Sequence, residues 1–329
     1  MKKINIAFFG APNFAAHLLQ QIIEDANLPV SVTFVVTQPD RPSGRKQILT
    51  PTPVKLMAQK HNIPVFDNSQ LSSLNLQLKN IDLVLLYAYG ELIPPEILKM
   101  PRWGFWNIHP SLLPSYRGPS PIAYPLLLGD AKTGTSLIQM DELLDHGPII
   151  DKEQYAIQQT DTQETLRERL SSIGYKLFKK NVQLLLDGAV RKNEQIHSQA
   201  TFTRLLTKKD GFIPFPVVQK IYKGEGFTKD NLPLIIQEYC DKYHLLATRL
   251  PSLRSGISGQ ANHYSRAIYY SLFRALSPWP GIWTILPGEK RLKITGMELQ
   301  EGIPTLTKVQ LEGKKETDVS IFQTAYGVF

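Results

Sequence analysis

The chain has 329 residues, 42% hydrophobic and 20% charged, a composition that is typical of a globular protein of about two domains and excludes a disordered or fibrous one. Its single cysteine, Cys240, excludes a disulfide framework and a cysteine-based zinc site and fits a reducing, cytoplasmic compartment, and no apolar run approaches the roughly 18 residues that span a bilayer. The net charge is +8, and residues 204–329 hold 17 basic against 11 acidic side chains, a surplus that favours either a polyanionic partner such as nucleic acid or simple solubility.

The first half of the chain alternates apolar runs with segments of helical spacing. Residues 4–9 are apolar and β-prone, and this stretch is too short and too soon broken for a signal peptide, so we interpret it as a first strand. Further elements are predicted as buried strands at 32–36, 82–86 and 104–108 and helices at 14–23 and 53–61. Apolar strands joined by helices predict an α/β, Rossmann-like fold with a mostly parallel sheet covered on both faces.

The character of the chain changes after a long helix. Strands at 136–140 and 149–157 precede this helix, in which Thr160 and Gln163 fit a capping box and the apolar spacing continues to about residue 187. Residues 207–226 are rich in Lys, Gly and Pro, as in a linker. The remaining predicted elements are helices at 234–246 and 264–276 and short strands at 283–286 and 290–294. We therefore predict one domain over 1–205, a linker or insertion over 206–262 and a smaller domain over 263–329.

The chemistry-bearing residues begin at the end of the strand predicted at 104–108. The first strand–turn–helix contains only Gly10 where a dinucleotide fingerprint needs three spaced glycines, which disfavours a nicotinamide enzyme. Asn107 and His109 share one face of their strand, because strand side chains alternate, and lie at the carboxyl edge of the sheet, where open α/β sheets bind ligands. An amide beside an imidazole is suited to polarising a carbonyl and stabilising an oxyanion.

A cluster of acids follows the strand predicted at 136–140. Asp141, Glu142 and Asp145 fall within five residues, a pattern most often found in a solvated loop. One of these carboxylates at the same sheet edge would supply a proton acceptor and hold the His109 imidazole in a useful protonation state. The residues alone leave open which of the three it is.

A family resemblance rests on these two segments together. The run Asn107–Pro114, with Arg117 and Gly118 after it and Asp145 36 residues beyond His109, resembles the folate-dependent formyltransferases. The resemblance covers residues 3–205 and implies a formyltransferase catalytic domain in which Asn107 and His109 polarise the formyl carbonyl of 10-formyltetrahydrofolate and Asp145 orients and charges the imidazole. It implies no metal, and a folate site formed by Ser111, Leu112, Leu113, Pro114, Tyr89 and Gly90.

A third segment, residues 37–46, narrows the resemblance to one branch of that superfamily. Residues 37–46 are similar to the loop with which methionyl-tRNA formyltransferases enter the acceptor arm of initiator tRNA. Pro39 and Pro42 hold the segment open, and Arg41, Arg45 and Lys46 suit phosphate and base-edge contacts. The implied partners are initiator methionyl-tRNA and the folate co-substrate, with no membrane partner and a monomeric state.

The C-terminal third departs from the family pattern. The resemblance implies a small OB-type barrel that contacts tRNA, and residues 277–280 match its start, but only 49 residues follow. We therefore expect a reduced β-rich, OB-like domain. His146 stands where the family has a small residue, and we expect it to face solvent.

Three other functions remain open at this point. A formyltransferase acting on an amino-sugar nucleotide would use the same Asn, His and Asp chemistry, and so would a hydrolase of formyltetrahydrofolate. The segment 38–46 and the basic C-terminal third argue against both. A catalytically silent RNA-binding protein is disfavoured because Asn107, His109 and Asp145 are all present.

Overall fold

The computed structural model describes residues 3–44, 46–223, 225, 231–243, 267–300 and 303–329. The described chain divides into two compact units. The first unit comprises the residues up to 121 together with 133–156 and 167–203. The second unit comprises 122–132, 157–166 and the described residues from 204 to the C-terminus.

The strands are named here in chain order. They are β1 (Ile4–Phe9), β2 (Val30–Thr37), β3 (Arg41–Ser43), β4 (Ile48–Thr50), β5 (Val65–Asp67), β6 (Leu83–Leu86), β7 (Phe105–His109), β8 (Lys132–Gln139), β9 (Ile149–Ala156), β10 (Ile282–Ile285), β11 (Arg291–Gln300), β12 (Ile303–Leu311) and β13 (Glu316–Asp318).

The helices follow the same convention. They are α1 (Asn13–Glu24), α2 (Pro53–Lys60), α3 (Asn75–Lys79), α4 (Pro95–Leu98), α5 (Ala123–Leu127), α6 (Gln163–Leu186), α7 (Phe215–Lys223), α8 (Leu234–Lys242), α9 (Ala267–Leu276) and α10 (Val319–Tyr326). Short 3-10 helices lie at Asn68–Ser73, His197–Gln199 and Lys208–Gly211.

The first unit is built on a seven-stranded sheet in the order β5-β2-β1-β6-β7-β8-β9. The pairs from β5 to β7 are parallel, and β8 runs antiparallel to β7. The strands β1, β6 and β7 are almost wholly buried, as expected for central strands of a sheet covered on both faces. The predicted α/β fold with a mostly parallel sheet is confirmed, and the parallel strands end on the edge that carries Asn107 and His109.

Two details of this unit differ from the sequence prediction. The segment predicted as an open loop at 37–46 contains β3, which pairs with β4 as an exposed hairpin. The long helix α6 begins at Gln163, the last residue of the predicted box, and its first turn is capped by Thr162 Oγ1, which accepts from the Thr165 amide at 3.3 Å. The capping hydroxyl is therefore that of Thr162, two residues beyond the Thr160 that the sequence predicted.

The second unit contains the four-stranded antiparallel sheet β10-β11-β12-β13. Helices α7 and α10 pack against β12, and α9 packs against α5. This antiparallel sheet confirms a β-rich C-terminal region, whereas its assignment to the OB class stays a prediction. The segment predicted as a linker contributes α7 and α8, each of which buries one apolar face, and Cys240 is fully buried in α8.

Two predicted helices extend beyond the described residues. Residues 244–246 of the helix predicted at 234–246, and 264–266 of the helix predicted at 264–276, lie outside them. No helix within the described part of the chain is long and apolar enough to cross a membrane.

Candidate active site

Strand β7 carries two of the predicted site residues at its carboxyl end. Asn107 pairs with Leu86 of β6 on one side and Ile138 of β8 on the other, and His109 pairs with Ser136. These neighbours fix the register of the strand, so that both side chains lie on one face, and both are buried.

The turn after β8 brings the third residue to the same place. Asp145 Oδ1 lies 3.3 Å from Asn107 Nδ2, which donates to it, and 3.5 Å from His109 Nδ1. Asp145 Oδ2 accepts from the backbone amide of Gly118 at 2.7 Å. An amide, an imidazole and a carboxylate from two segments of the chain therefore meet in the first unit. Of the three acids in the turn, Asp145 is the one that contacts Asn107 and His109.

The hydrogen bonds of His109 constrain its protons. Nε2 lies 3.0 Å from the carbonyl oxygen of Tyr116, which can only accept, so Nε2 carries a hydrogen. Nδ1 then faces the Asp145 carboxylate, and a proton held between Nδ1 and Oδ1 satisfies both groups. The geometry suits a pair that passes one proton, and the 3.5 Å separation is the loose spacing common before a substrate tightens a catalytic contact.

The loop after β7 is fixed by internal hydrogen bonds. Ser111 is buried, and its hydroxyl donates to the carbonyl of Ser115 at 2.7 Å. Ser136 Oγ donates to the Ser111 carbonyl and accepts from the Leu113 amide. Leu113 packs in a small core with Ile138 and Ile149. Of the four residues predicted to line the folate site in this loop, Leu112 and Pro114 are the partly exposed ones.

The other predicted folate residues follow β6, the parallel neighbour of β7. The Tyr89 ring is buried against Phe9, with centroids 5.3 Å apart, and burial raises the pKa of its hydroxyl. The Tyr89 carbonyl accepts from Gln38 Nε2 at 3.0 Å, and Gly90 is exposed. Of these two residues, only Gly90 presents surface to a ligand.

The predicted tRNA contacts lie on the β3–β4 hairpin. Arg41 and Lys46 are exposed, and Arg41 Nη2 lies 3.4 Å from Glu91 Oε1. Arg45 lies outside the described residues. Ile48 and Leu49 on β4 are also largely exposed, so the hairpin presents apolar as well as basic side chains to solvent.

Residues that the sequence did not single out surround Asp145. Arg117 is 3% exposed and donates through Nε and Nη2 to Gln195 Oε1 at 3.2 and 2.7 Å, and Nη2 also contacts His197 Nδ1 at 2.9 Å. Burial lowers the pKa of the Arg117 guanidinium, and the charges of Asp145 and Asp141 oppose that shift. Only the Arg117-Gly118 pair gave any sequence signal, as part of the family pattern.

His146, which was expected to face solvent, is only partly exposed, with 29% of its side-chain surface accessible. Its Nδ1 lies 2.6 Å from Asp141 Oδ2, and its ring stacks on His197 with centroids 3.9 Å apart and planes 1° apart. The imidazole of His197 covers one face of that ring. Within the described residues, no group of three His, Cys, Asp or Glu side chains has the arrangement of a metal site.

Fold and site together define a class of protein: a Rossmann-like α/β protein in which an amide, an imidazole and a carboxylate lie together at the carboxyl edge of the parallel strands. A family model described as formyl transferase matches residues 2–182. The chain belongs to the formyl transferase family, and it is a formyltransferase.

Relatives and solved structures extend this assignment. The chain is 32% identical to a methionyl-tRNA formyltransferase of Caldicellulosiruptor saccharolyticus, over 99% of this chain and 98% of that relative. It is 40% identical to the enzyme of the same name from Bacillus cereus, over 60% and 64% of the two chains. Among solved structures, a 4-N formyltransferase from Francisella tularensis has a TM-score of 0.58 at 14% identity, covering 89% of this chain and 97% of its own. A sugar N-formyltransferase from a Shewanella species has a TM-score of 0.56 at 13% identity over the same shares, and at such identities both show the fold alone.

Proposed function

We propose that the protein transfers the formyl group of 10-formyltetrahydrofolate to the α-amine of methionine esterified to initiator tRNA. The observation that carries the chemistry is the meeting of Asn107, His109 and Asp145 around one point of the first unit. The choice of acceptor is supported by end-to-end similarity to a relative named methionyl-tRNA formyltransferase.

The first step forms the new C–N bond. The neutral amine attacks the formyl carbon, and the carbonyl electron pair moves to oxygen, giving a tetrahedral oxyanion. Asn107 Nδ2 has two hydrogens, of which one is donated to Asp145, so the other is free to bind the oxyanion. A protonated His109 adds positive charge beside the same oxygen, in a buried setting where such charge acts strongly.

The second step moves a proton and breaks the old bond. Asp145 Oδ1 faces both Asn107 and His109, so it is the acceptor for the proton that the attacking nitrogen loses. The oxyanion then collapses, the bond between the formyl carbon and folate N10 breaks, and N10 takes up the proton that Asp145 received, which restores the carboxylate. The products are tetrahydrofolate and formyl-methionyl-tRNA, and no metal takes part.

We assign substrate binding to two neighbouring parts of the first unit. The folate is proposed to bind against Leu112, Pro114 and the backbone at Gly90, with Ser111, Leu113 and Tyr89 supporting that surface from inside. The β3–β4 hairpin, with Arg41 and Lys46, is proposed to contact tRNA, because exposed cations suit phosphate oxygens, and Arg45 is proposed to contribute to the same contact. Such a reaction is expected in the cytoplasm, where translation takes place.

Replacement of the three polar residues tests the site. Asn107→Ala removes an oxyanion donor and should lower kcat by about 10²–10³. His109→Ala and Asp145→Asn remove the proton-transfer pair and should each cost about 10²–10⁴. Each variant is compared with the parent by melting temperature, so that a loss of turnover with an intact fold identifies a chemical role. Turnover close to that of the parent in all three would remove the site assignment.

A panel of acceptors tests the substrate. The parent protein is incubated with formyltetrahydrofolate and, in separate reactions, methionyl-tRNA, an amino-sugar nucleotide or water alone. Formylation of methionyl-tRNA alone is expected. Formylation of the sugar nucleotide instead would favour the alternative N-formyltransferase, and release of formate without an acceptor would favour the hydrolase.

A further inference from the structure

A single glutamine side chain holds the turn that carries Asp145. Gln195 is 5% exposed, and its Nε2 donates one hydrogen to the Asp145 carbonyl and one to the Gly147 carbonyl, both at 2.8 Å. These two bonds use all of the hydrogens of the amide. They bind the backbone on both sides of His146. Asp145 in this turn has a φ of 50°, in the left-handed region that a residue with a side chain seldom adopts.

The other end of the same amide is held as firmly. Gln195 Oε1 accepts two bonds from Arg117, and because an arginine only donates, the amide can be oriented in one way only. Arg117 is itself fixed, since its backbone amide donates to the Thr201 carbonyl at 2.8 Å and its carbonyl accepts from the Thr203 amide at 2.7 Å. Its Nη2 also donates to His197 Nδ1.

The segment from 193 to 203 thus contacts both the start of β9, which follows the Asp145 turn, and the loop that contains Arg117 and Gly118. It pairs with the start of β9 through mutual backbone bonds of 2.8 Å between Asn193 and Ile149, and with the loop at Arg117 through Thr201 and Thr203. Gln195 lies between these two attachments and connects the Asp145 turn to the loop whose Gly118 amide binds the Asp145 carboxylate.

We propose that Gln195 is a positioning residue for Asp145, and that Arg117 orients it for this task. Gln195 touches no reacting atom. It fixes the backbone from which the carboxylate reaches Asn107 and His109, and so sets the distance over which the proton moves. The inference rests on the proposed role of Asp145 in formyl transfer.

Two substitutions at Gln195 separate this role from simple support of the fold. In Gln195→Glu the carboxylate still accepts from Arg117 but has no hydrogen for the Asp145 and Gly147 carbonyls. In Gln195→Met both connections are lost. If the two hydrogen bonds from Gln195 to the turn position Asp145, both variants lower kcat by about 10²-fold, because a displacement of the order of 1 Å in a catalytic group has about that effect. KM for either substrate should change little.

The matched control is Gln154→Glu, the same change at an exposed position on β9 of the same unit. It should leave kcat and melting temperature at the parent values. All rates are measured below the melting temperature of the least stable variant. If Gln195→Glu keeps the parent kcat while Gln195→Met loses it, the contact with Arg117 alone is important and the proposal is overturned. A change confined to KM also overturns it.

Arg117→Lys provides a second, independent measurement should the Gln195 variants fail to fold. The lysine keeps the positive charge but cannot bind Oε1 at two points, so kcat should fall by a smaller factor, and an unchanged kcat contradicts the proposal. The outcome is distinguishable from failure of the site itself. If Asp145→Asn is inactive and Gln195→Glu is fully active, only this inference fails, whereas an active Asp145→Asn removes the proposed function.

Discussion

The residues around Asp145 are held in backbone conformations that are unfavourable by themselves. Asp145 and Tyr116 have φ of 50° and 64°, and Gly118 between the two has φ of 104°. Conformations of this kind in residues with side chains cost about 1–3 kcal/mol each and persist only where the surroundings enforce them. Here the surroundings are the hydrogen bonds of Gly118 and Gln195 to the Asp145 turn. The position of the carboxylate therefore depends on the Gly118 backbone and the Gln195 side chain as much as on the backbone of Asp145 itself.

Gly118 offers a direct test of this view. In Gly118→Ala the new Cβ would lie 2.8 Å from the Thr203 carbonyl oxygen, at a φ that alanine avoids, so the loop must shift and carry its amide away from Asp145. We expect a loss of about 1–3 kcal/mol in the free energy of unfolding and a fall in kcat. Gly188→Ala is the control, because its φ is 70° but nothing lies within 4 Å of the added Cβ. It should cost about 1 kcal/mol and leave kcat unchanged, and equal effects on kcat would contradict the argument.

At the scale of single residues, the sequence was informative where reactive side chains recur with the two-residue period of a strand. Asn107 and His109 stand out because they are two apart at the end of an apolar strand. Asp145 could be chosen among three acids only through the family resemblance, since the residues alone left the choice open. Gln195 gave no signal at all, because it binds backbone carbonyls about fifty positions away, and every residue has a carbonyl.

Among the elements, a strong apolar pattern helped prediction without ensuring it, since β12 alternates buried and more exposed positions and was not predicted. The central strands and α6 were found to within a few residues. The β3–β4 hairpin was missed because all of its residues are exposed, so no alternation of buried and exposed positions marks it. Helix α7 was taken for linker because Pro214 and Pro216 precede or open it, yet Val217 and Ile221 supply a buried face.

One contact between elements of the first unit should make stability depend on pH. Asp25, at the end of α1, accepts hydrogen bonds from Lys179 and Tyr175 of α6, and these bonds lower its pKa from 3.8 to about 2. A carboxylate with a lowered pKa stabilises the fold fully above its ordinary value, and this contribution is lost as the pH falls through the lowered one. Asp25→Asn should therefore destabilise the protein at pH 7, and the difference from the parent should close between pH 3.8 and about 2.

Denaturant titrations of both proteins across that range measure the effect. Lys179→Met provides the control, since removing the first of the two partners should shrink the effect of Asp25→Asn at pH 7 in a double-mutant cycle. A difference between parent and Asp25→Asn that is independent of pH would show that the contact does not depend on the charge of Asp25.

At the scale of the whole molecule, position along the chain is a poor guide to structural units. The second unit takes in residues 122–132 and 157–166, which lie well before the boundary predicted at 205. Helix α5 packs on α9 more than 130 residues later, and Arg274 Nη1 donates to the carbonyls of Gln158 and Asp161. Such contacts leave no local pattern, so the domain limits at 205 and 262 stay predictions.

The excess positive charge is also a property of the whole molecule. The attraction of tRNA by this net charge can be separated from local contacts between tRNA and the β3–β4 hairpin. Arg41→Ala with Lys46→Ala should raise KM for methionyl-tRNA and reduce the slope of log(kcat/KM) against log salt by about 2, because each cation on a phosphate releases about one counterion. KM for formyltetrahydrofolate should not change. Lys60→Ala with Lys79→Ala removes the same charge from exposed helix ends of the same unit. If this pair flattens the salt dependence as much, attraction comes from net charge alone and the hairpin is not the contact.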